Sequence, residues 1–302
     1  MSVFVTGATG FIGSHLCREL VAGGHRVVAL GHSGRTGNIA PLLHERNFKL
    51  HTGDVQDTAL MAHLIKDNQV RTVFHLAARL PREDDADNPL PGFDVNARGT
   101  LSVLQAAASN AVVSFIYAST MSVYSTPPHR LPVDEEHPAQ PATTYGAAKL
   151  SGELACRAYD DRMKVMILRY GGVYGLHCRE SDAVPTFIRQ ARNNQPITIH
   201  GDGTQSSDFV YVGDAVRGTL LAWEKGKLGV YNIGGGRETS VRELAEKIVA
   251  ITGSKSEITV AQTGAERPFR FVLDISRAHK VLGYAPLPLE EGLRRYLAGL
   301  TG

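Results

Sequence analysis

Along the chain, short apolar runs alternate with stretches in which apolar residues recur every three or four positions. The runs are SVFVTG (2–7), RVVAL (26–30), FKLHTG (48–53), TVFHLAA (72–78), VVSFIYAS (112–119) and VMILRY (165–170). Most are rich in β-branched residues and end in small ones, as strands do. Between the first two, Ile12, Leu16 and Leu20 share one helical face that stops at Gly23 and Gly24. Strands this apolar need cover on both faces, which predicts a parallel sheet with right-handed crossover helices. The pattern therefore predicts a doubly wound α/β domain over 1–170. Over 171–302 the rhythm loosens, and a smaller C-terminal α/β lobe is expected, with the chain passing between the two. In that lobe Ser240 followed by Glu243 predicts a capped helix reaching Thr252, and Asp274 a second cap for a helix ending near Leu282.

Composition removes several alternatives. Of 302 residues, 43% are apolar and 21% charged, enough to bury a full core. A net charge of +2 with interspersed signs gives no basic stripe for nucleic acid or an anionic membrane. Small molecules and further copies of the chain remain as partners. The three cysteines, Cys17, Cys156 and Cys178, lack metal-like spacing and suit a reducing compartment, so no metal and no disulfide are expected. MSVFVTG enters a strand directly, without the basic and apolar regions of a secretion signal, and a cytoplasmic location is expected. The long uncharged run 99–129 is full of Ser, Thr, Asn and Gln, and reads as a helix and a buried strand rather than a membrane span.

TGATGFIG (6–13) follows the first strand and opens the first helix. Gly7 permits a tight turn, Gly10 lets backbone approach a pyrophosphate, and Gly13 allows close helix packing. The helix start at Phe11 and Ile12 offers free N–H groups to phosphate. This is a Rossmann-type dinucleotide loop. At the end of the second strand an NAD site usually carries Asp or Glu for the ribose 2′-hydroxyl, but here Gly31 is followed by His32, Ser33 and Arg35. Donors and a cation without a carboxylate favour NADP over NAD, unless the loop is simply solvated.

Further along, TYGAAK (144–149) sets Tyr145 and Lys149 four apart, on one helix face. A free tyrosine titrates near about 10, and an adjacent ammonium favours its phenolate. Alone the spacing is common on helices.

Together with the glycine loop it resembles the extended short-chain dehydrogenase/reductase family of NAD(P)-dependent nucleotide-sugar epimerases and dehydratases. The similarity extends through TGDVQD (52–57), HLAA (75–78), YAST (117–120), RYGGVYG (169–175), GDGTQSSDFVYV (201–212), YNIGGG (231–236) and ERPFRFVLDISRAHKVLGYAP (266–286). The resemblance implies Thr120, Tyr145 and Lys149 as catalytic residues. Asp54 and Val55 would lie against adenine, Ala77 and Ala78 along the cofactor channel, with Tyr170 and Val173 also at the cofactor. Asn96 would sit behind the active site. Plain readings stay open: Asp54 as a helix cap, the two alanines as core packing.

Met121 and Ser122 stand where the 4,6-dehydratase branch carries Asp and Glu, so water elimination by that route lacks its groups. On the substrate side, Ser207 replaces a family Arg, Gly172 replaces an Asn, and Arg267 in ERPFR matches a second Arg. Arg79, Arg82 and Met121 are further candidates. His177 and Cys178 could supply an extra acid or base, or be structural. Three functions follow: a nucleotide-sugar epimerase acting through a transient ketone, most readily at C4; an NADP-dependent ketoreductase; and a non-catalytic NAD(P)-binding sensor, disfavoured by the complete Thr120, Tyr145 and Lys149 set. The resemblance also implies a homodimer through the helices carrying Asn96 and Tyr145.

Overall fold

The computed structural model describes residues 1–81, 88–261 and 269–300. In chain order its strands are β1 (Ser2–Thr6), β2 (Arg26–Gly31), β3 (Phe48–Thr52), β4 (Thr72–His75), β5 (Ser114–Thr120), β6 (Lys164–Tyr170), β7 (Gly172–Tyr174), β8 (Ile197–His200), β9 (Ser206–Tyr211), β10 (Gly229–Ile233), β11 (Glu238–Ser240) and β12 (Ile258–Ala261). The helices are α1 (Phe11–Ala22), α2 (Thr58–Asp67), α3 (Leu90–Phe93), α4 (Gly99–Ser109), α5 (Thr144–Arg157), α6 (Ala183–Arg192), α7 (Val212–Lys225), α8 (Val241–Thr252), α9 (Ser276–Leu282) and α10 (Leu289–Gly299).

The large sheet has seven strands in the order β10-β6-β5-β4-β1-β2-β3. β1 pairs in parallel with β2 and β4, β2 with β3, and β4 with β5. This is a doubly wound, Rossmann-type sheet. All six predicted strands belong to it. The fourth is shorter than its apolar run, because the chain leaves the sheet after His75 and Leu76–Ala78 become loop. The seventh strand, β10, was not predicted: GVYNI is short and begins at a glycine, although four of its five residues are buried.

The chain divides into two compact units and passes between them repeatedly. The first holds Met1–Ser125, Pro138–Arg169 and Gly218–Tyr231; the second holds Thr126–His137, Tyr170–Arg217 and Asn232–Gly302. In the first, strand residues Phe4, Val28, Val73 and Phe115 pack with Met61 and Leu64 of α2 and Val103 of α4. In the second, Val184 and Phe187 of α6 pack with Leu244 and Ile248 of α8 and Leu293 of α10.

Caps follow the sequence with two shifts. Ser240 Oγ accepts the Glu243 N–H at 3.0 Å, and Gly253, at φ +64°, ends α8. Asp57 rather than Asp54 caps α2, accepting the Leu60 N–H at 2.9 Å, while Asp54 accepts from Gln56 N–H two residues on. Asp274 likewise sits one residue outside the cap of α9, accepting the Ser276 N–H at 2.8 Å. Within the second unit, buried Asp208 of β9 accepts N–H bonds from Gly235, Gly236 and Leu273. Burial nonetheless pushes its carboxyl up to about 6.

Candidate active site

The glycine loop has room for a phosphate. Gly7 has φ +69°, and a Cβ there would lie 2.7 Å from Ala77 N, so neither its conformation nor its space admits a side chain. A Cβ on Gly13 would overlap the Gly7 carbonyl. Gly10 is the N-cap of α1, and no side chain caps the helix or places an acid in its first turn. Gly10 is exposed, and among the described residues an added Cβ would meet only the Gly7 oxygen, at 3.1 Å. The helix thus presents orphan N–H groups at an exposed start whose first turn carries no acid. These residues fit a dinucleotide pyrophosphate.

The end of β2 has a packing reason for its missing carboxylate. A Cβ on Gly31 would fall 2.7 Å from Thr9 Cγ2, so the glycine loop itself fills that space. Thr9 is held by the Asn38 amide, which donates to its carbonyl at 3.1 Å, and Arg18 donates to the Asn38 carbonyl at 2.8 Å. Beyond Gly31, His32 Nδ1 lies 3.8 Å from Asp54, and His32, Ser33 and Arg35 are exposed. Val55 is core: it is buried, and a Cβ on Gly99 would meet its side chain.

Beneath the loop runs a buried hydrogen-bond chain. The Ala77 N–H donates to Thr6 Oγ1 at 3.2 Å, and Thr6 Oγ1 lies 2.7 Å from His75 Nδ1. His75 Nε2 lies 3.0 Å from Thr100 Oγ1, which donates to the Asn96 carbonyl at 2.7 Å. These partners require Thr6 to donate to Nδ1 and the ring to carry its proton on Nε2. Burial, reinforced by the charge of Lys149, pushes His75 down to about 3 and keeps it neutral. Asn96 sits in a π-helical turn, Asp94–Arg98, that precedes α4. Its amide grips the backbone of Arg79 from both sides, accepting from the N–H at 2.8 Å and donating to the carbonyl at 2.9 Å. The loop after β4 is therefore fixed at both ends; Ala77 packs against the core, while Ala78 is exposed.

Thr120 ends β5, and Tyr145 and Lys149 occupy the first turns of α5. Thr143 starts that helix by accepting the Gly146 N–H at 3.1 Å. Between Tyr145 and Lys149, Gly146 lets α5 settle on the turn after β5, for a Cβ there would overlap the Ser122 carbonyl. Gly152 does the same over Tyr117, whose hydroxyl an added Cβ would overlap. Thr120 Oγ1 accepts the Ser122 N–H at 3.1 Å and lies 3.2 Å from Ser122 Oγ, so a second hydroxyl stands beside it. Lys149 is buried, with Nζ 4.1 Å from the centre of the Tyr117 ring. Burial pushes its ammonium down to about 8, against the opposing pull of Cys156 and Glu153. Tyr145 is half-buried and borders a small cleft with Arg79, Phe93, Asn96 and Thr144.

One family accounts for this arrangement. The profile of the NAD dependent epimerase/dehydratase family matches residues 3–234. The chain belongs to this family. Its members include proteins similar over nearly all of its length. A putative UDP-glucose 4-epimerase of Methanocaldococcus jannaschii is 33% identical, with 97% of this chain and 96% of the relative covered. The dTDP-D-glucose 4,6-dehydratase of Mus musculus is 32% identical, covering 97% and 86%. The UDP-glucuronic acid 4-epimerase of Bacillus cereus, solved with UDP-glucuronic acid and NAD, is 34% identical, with a TM-score of 0.89 and coverage of 100% and 99%.

For this epimerase/dehydratase chain, the first unit gathers Thr120, Met121, Tyr145, Lys149, the glycine loop, Gly31, Asp54 and Arg79. Tyr170, Gly172, Val173 and Ser207 belong to the second unit. There Gly172 pairs with Phe209, and a Cβ on it would lie 3.0 Å from the Asp208 carbonyl. Arg267 and Arg82 lie outside the described residues. His177 has φ +73°, and Cys178 Sγ is 3.5 Å from the Tyr296 hydroxyl. The three cysteines are free, and no group of side chains suited to a metal occurs among the described residues. Among the same residues no helix is long and apolar enough to cross a membrane. Sequence reasoning missed Gly146, Glu153 and Arg169, and read Ser122 only as a missing dehydratase group. Glu153 carried a signal, since it follows Lys149 by four residues on the face that bears Tyr145.

Proposed function

We propose that the protein is an NAD-dependent 4-epimerase of a nucleotide sugar. The observation that carries this reading is the Thr120, Tyr145 and Lys149 set beside a phosphate-binding glycine loop, with Met121 and Ser122 in place of an acid and base for eliminating water. The similar proteins include a putative UDP-glucose 4-epimerase and a UDP-glucuronic acid 4-epimerase solved with NAD.

The glycine loop would hold the pyrophosphate, with Ala77 and Ala78 along the channel and Lys149 at the nicotinamide ribose. Bound NAD supplies a hydride acceptor and donor. Tyr145 takes the proton of the sugar hydroxyl as its carbon is oxidised to a ketone, and Lys149 supplies the positive charge that makes the phenolate usable. Thr120 donates a hydrogen bond to the oxygen undergoing change. Tyr145 would give the proton back as the ketone is reduced from its opposite face. The cycle leaves no net oxidation, so cofactor need never leave. Arg267 would serve the diphosphate, with Arg79, Met121, Gly172 and Ser207 shaping substrate choice.

A second reading, an NADP-dependent ketoreductase, rests on Gly31 and Arg35. It loses weight because Thr9 gives Gly31 a packing reason of its own. Incubating the protein with UDP-glucose, UDP-glucuronic acid, UDP-N-acetylglucosamine and dTDP-glucose separates the two. The epimerase reading expects a C4 epimer of one of them, and NAD released on denaturation. Stoichiometric NADPH oxidation with a keto-sugar, and no epimer, would establish the reductase instead.

We also propose a cytoplasmic homodimer. Leu101 on α4 and Leu154 on α5, two helices that pack together, are 46% and 59% exposed, and a second copy is the occupant they suit.

A further inference from the structure

Tyr145, Lys149 and Glu153 lie at successive four-residue steps on α5, so one helix face carries all three. Glu153 is 1% exposed, a place where a carboxylate occurs only with partners. Arg169 at the end of β6 meets it as a fork: Nε donates to Oε1 at 2.9 Å and Nη2 to Oε2 at 2.6 Å. The third side of the pair faces the catalytic turn. Ser119 Oγ donates to Glu153 Oε1 at 2.5 Å, and Arg169 Nη1 donates to the Tyr124 hydroxyl at 2.9 Å. Ser119 precedes Thr120, and Tyr124 follows the Met121–Val123 turn. One buried ion pair therefore grips both shoulders of the Thr120 turn and, through Glu153, the helix carrying Tyr145 and Lys149.

Stability alone gives a weak reason for such a pair. A buried ion pair exchanged for well-packed apolar residues usually leaves a fold as stable or more so, because desolvation of the two charges offsets their attraction. The hydrogen bonds to Ser119 and Tyr124 are directional in a way that apolar packing is not. Resting on the catalytic reading of Thr120, Tyr145 and Lys149, we propose that Glu153 and Arg169 are positioning residues that lock the Thr120 turn to α5 and keep Lys149 charged. The groups around Lys149 fit the electrostatic half of this role. Tyr117 presents its ring, His75 is neutral, Cys156 is a buried thiol, and Tyr145 shares the helix face, which leaves Glu153 as the carboxylate among them. Burial opposes the Arg169 guanidinium charge, and the bonds to Glu153 and Tyr124 hold it up.

The test is the double variant Glu153→Leu/Arg169→Met, checked for a cooperative unfolding transition and assayed against the parent on UDP-glucose and UDP-glucuronic acid. We expect kcat to fall by roughly 30-fold or more with KM within about threefold, the split for an interaction made in the transition state. Independently of any sugar, NMR titration of protein carrying ¹³Cε-lysine, with Lys149 assigned from Lys149→Met, should show Lys149 losing its proton at least about half a pH unit lower, or roughly threefold more readily. If the double variant does not fold, Ser119→Ala/Tyr124→Phe removes the grip while keeping the ion pair, and should lower kcat by about tenfold or more. A folded double variant with parental kcat and unmoved Lys149 titration overturns the proposal, as does parental kcat in Ser119→Ala/Tyr124→Phe. The Tyr145→Phe control separates the two levels. Full turnover there refutes the catalytic reading itself, whereas a dead control beside a fully active double variant refutes the clamp alone.

Discussion

Lys149 illustrates how a single residue is placed against its own solvation. Its ammonium is buried over the Tyr117 ring, and burial pushes it down to about 8 from an ordinary value near 10.5. Below pH 8 the lysine is charged in both folded and unfolded chains, and the folded state bears the full desolvation cost. Between pH 8 and 10.5 the unfolded chain binds more protons, so this cost is relieved as pH rises. Lys149→Met should therefore stabilise the cofactor-free protein at pH 7 by about 3 kcal/mol, with the advantage shrinking through pH 8 to 10.5. Urea denaturation at pH 7 and pH 9.5 measures it. Equal or lower stability of the variant at pH 7 would mean that the site does not hold a strained charge. The same substitution should abolish turnover, since the phenolate of Tyr145 loses its counter-charge.

At the scale of elements, α5 is two glycines weaker than its length requires. Gly146 and Gly152 each forgo about 1 kcal/mol of helix propensity relative to alanine, and both face a close approach of β5 or its turn. Gly146→Ala should accordingly destabilise by about 1–3 kcal/mol rather than stabilise, and should lower kcat more than cofactor affinity, because the helix is pushed away from the Thr120 turn. Thermal unfolding and cofactor titration check both halves. A gain in stability would show that α5 can shift without penalty. β1, β2, β4, β5 and β6 were legible in the sequence because each is buried on both faces and reads as an apolar run, whereas the edge strand β3 buries only Phe48. Tyr145, Lys149 and the glycine loop stood out in the sequence by their spacing on a helix face and at a helix start, and Thr120 only by resemblance to the family. Glu153 offered only its helix-face spacing and Arg169 offered nothing, since charged residues in a helix and near a strand end read as surface until burial and a partner 16 residues away are known. β10 escaped for the opposite reason: its place beside β6 depends on a long-range return of the chain that no local pattern announces. Gly31 was legible as a missing carboxylate but not as a seat for Thr9, which comes from the first loop.

For the whole molecule, the proposed dimer and the proposed reaction are separately testable. Leu154 stands exposed on the helix that carries Tyr145, so Leu154→Glu should shift sedimentation from dimer to monomer at micromolar concentration. An unchanged dimer would place the interface elsewhere. The reaction is tested most directly by isotope. UDP-glucose carrying deuterium at C4 should give its C4 epimer with the deuterium retained at C4, no solvent hydrogen in its place, and no consumption of added NADPH. If the corresponding glucuronic acid or dTDP-linked substrate is the one converted, the same label applies. Washout of the label, release of water to a 4-keto-6-deoxy product, or conversion only with stoichiometric NADPH would contradict the account.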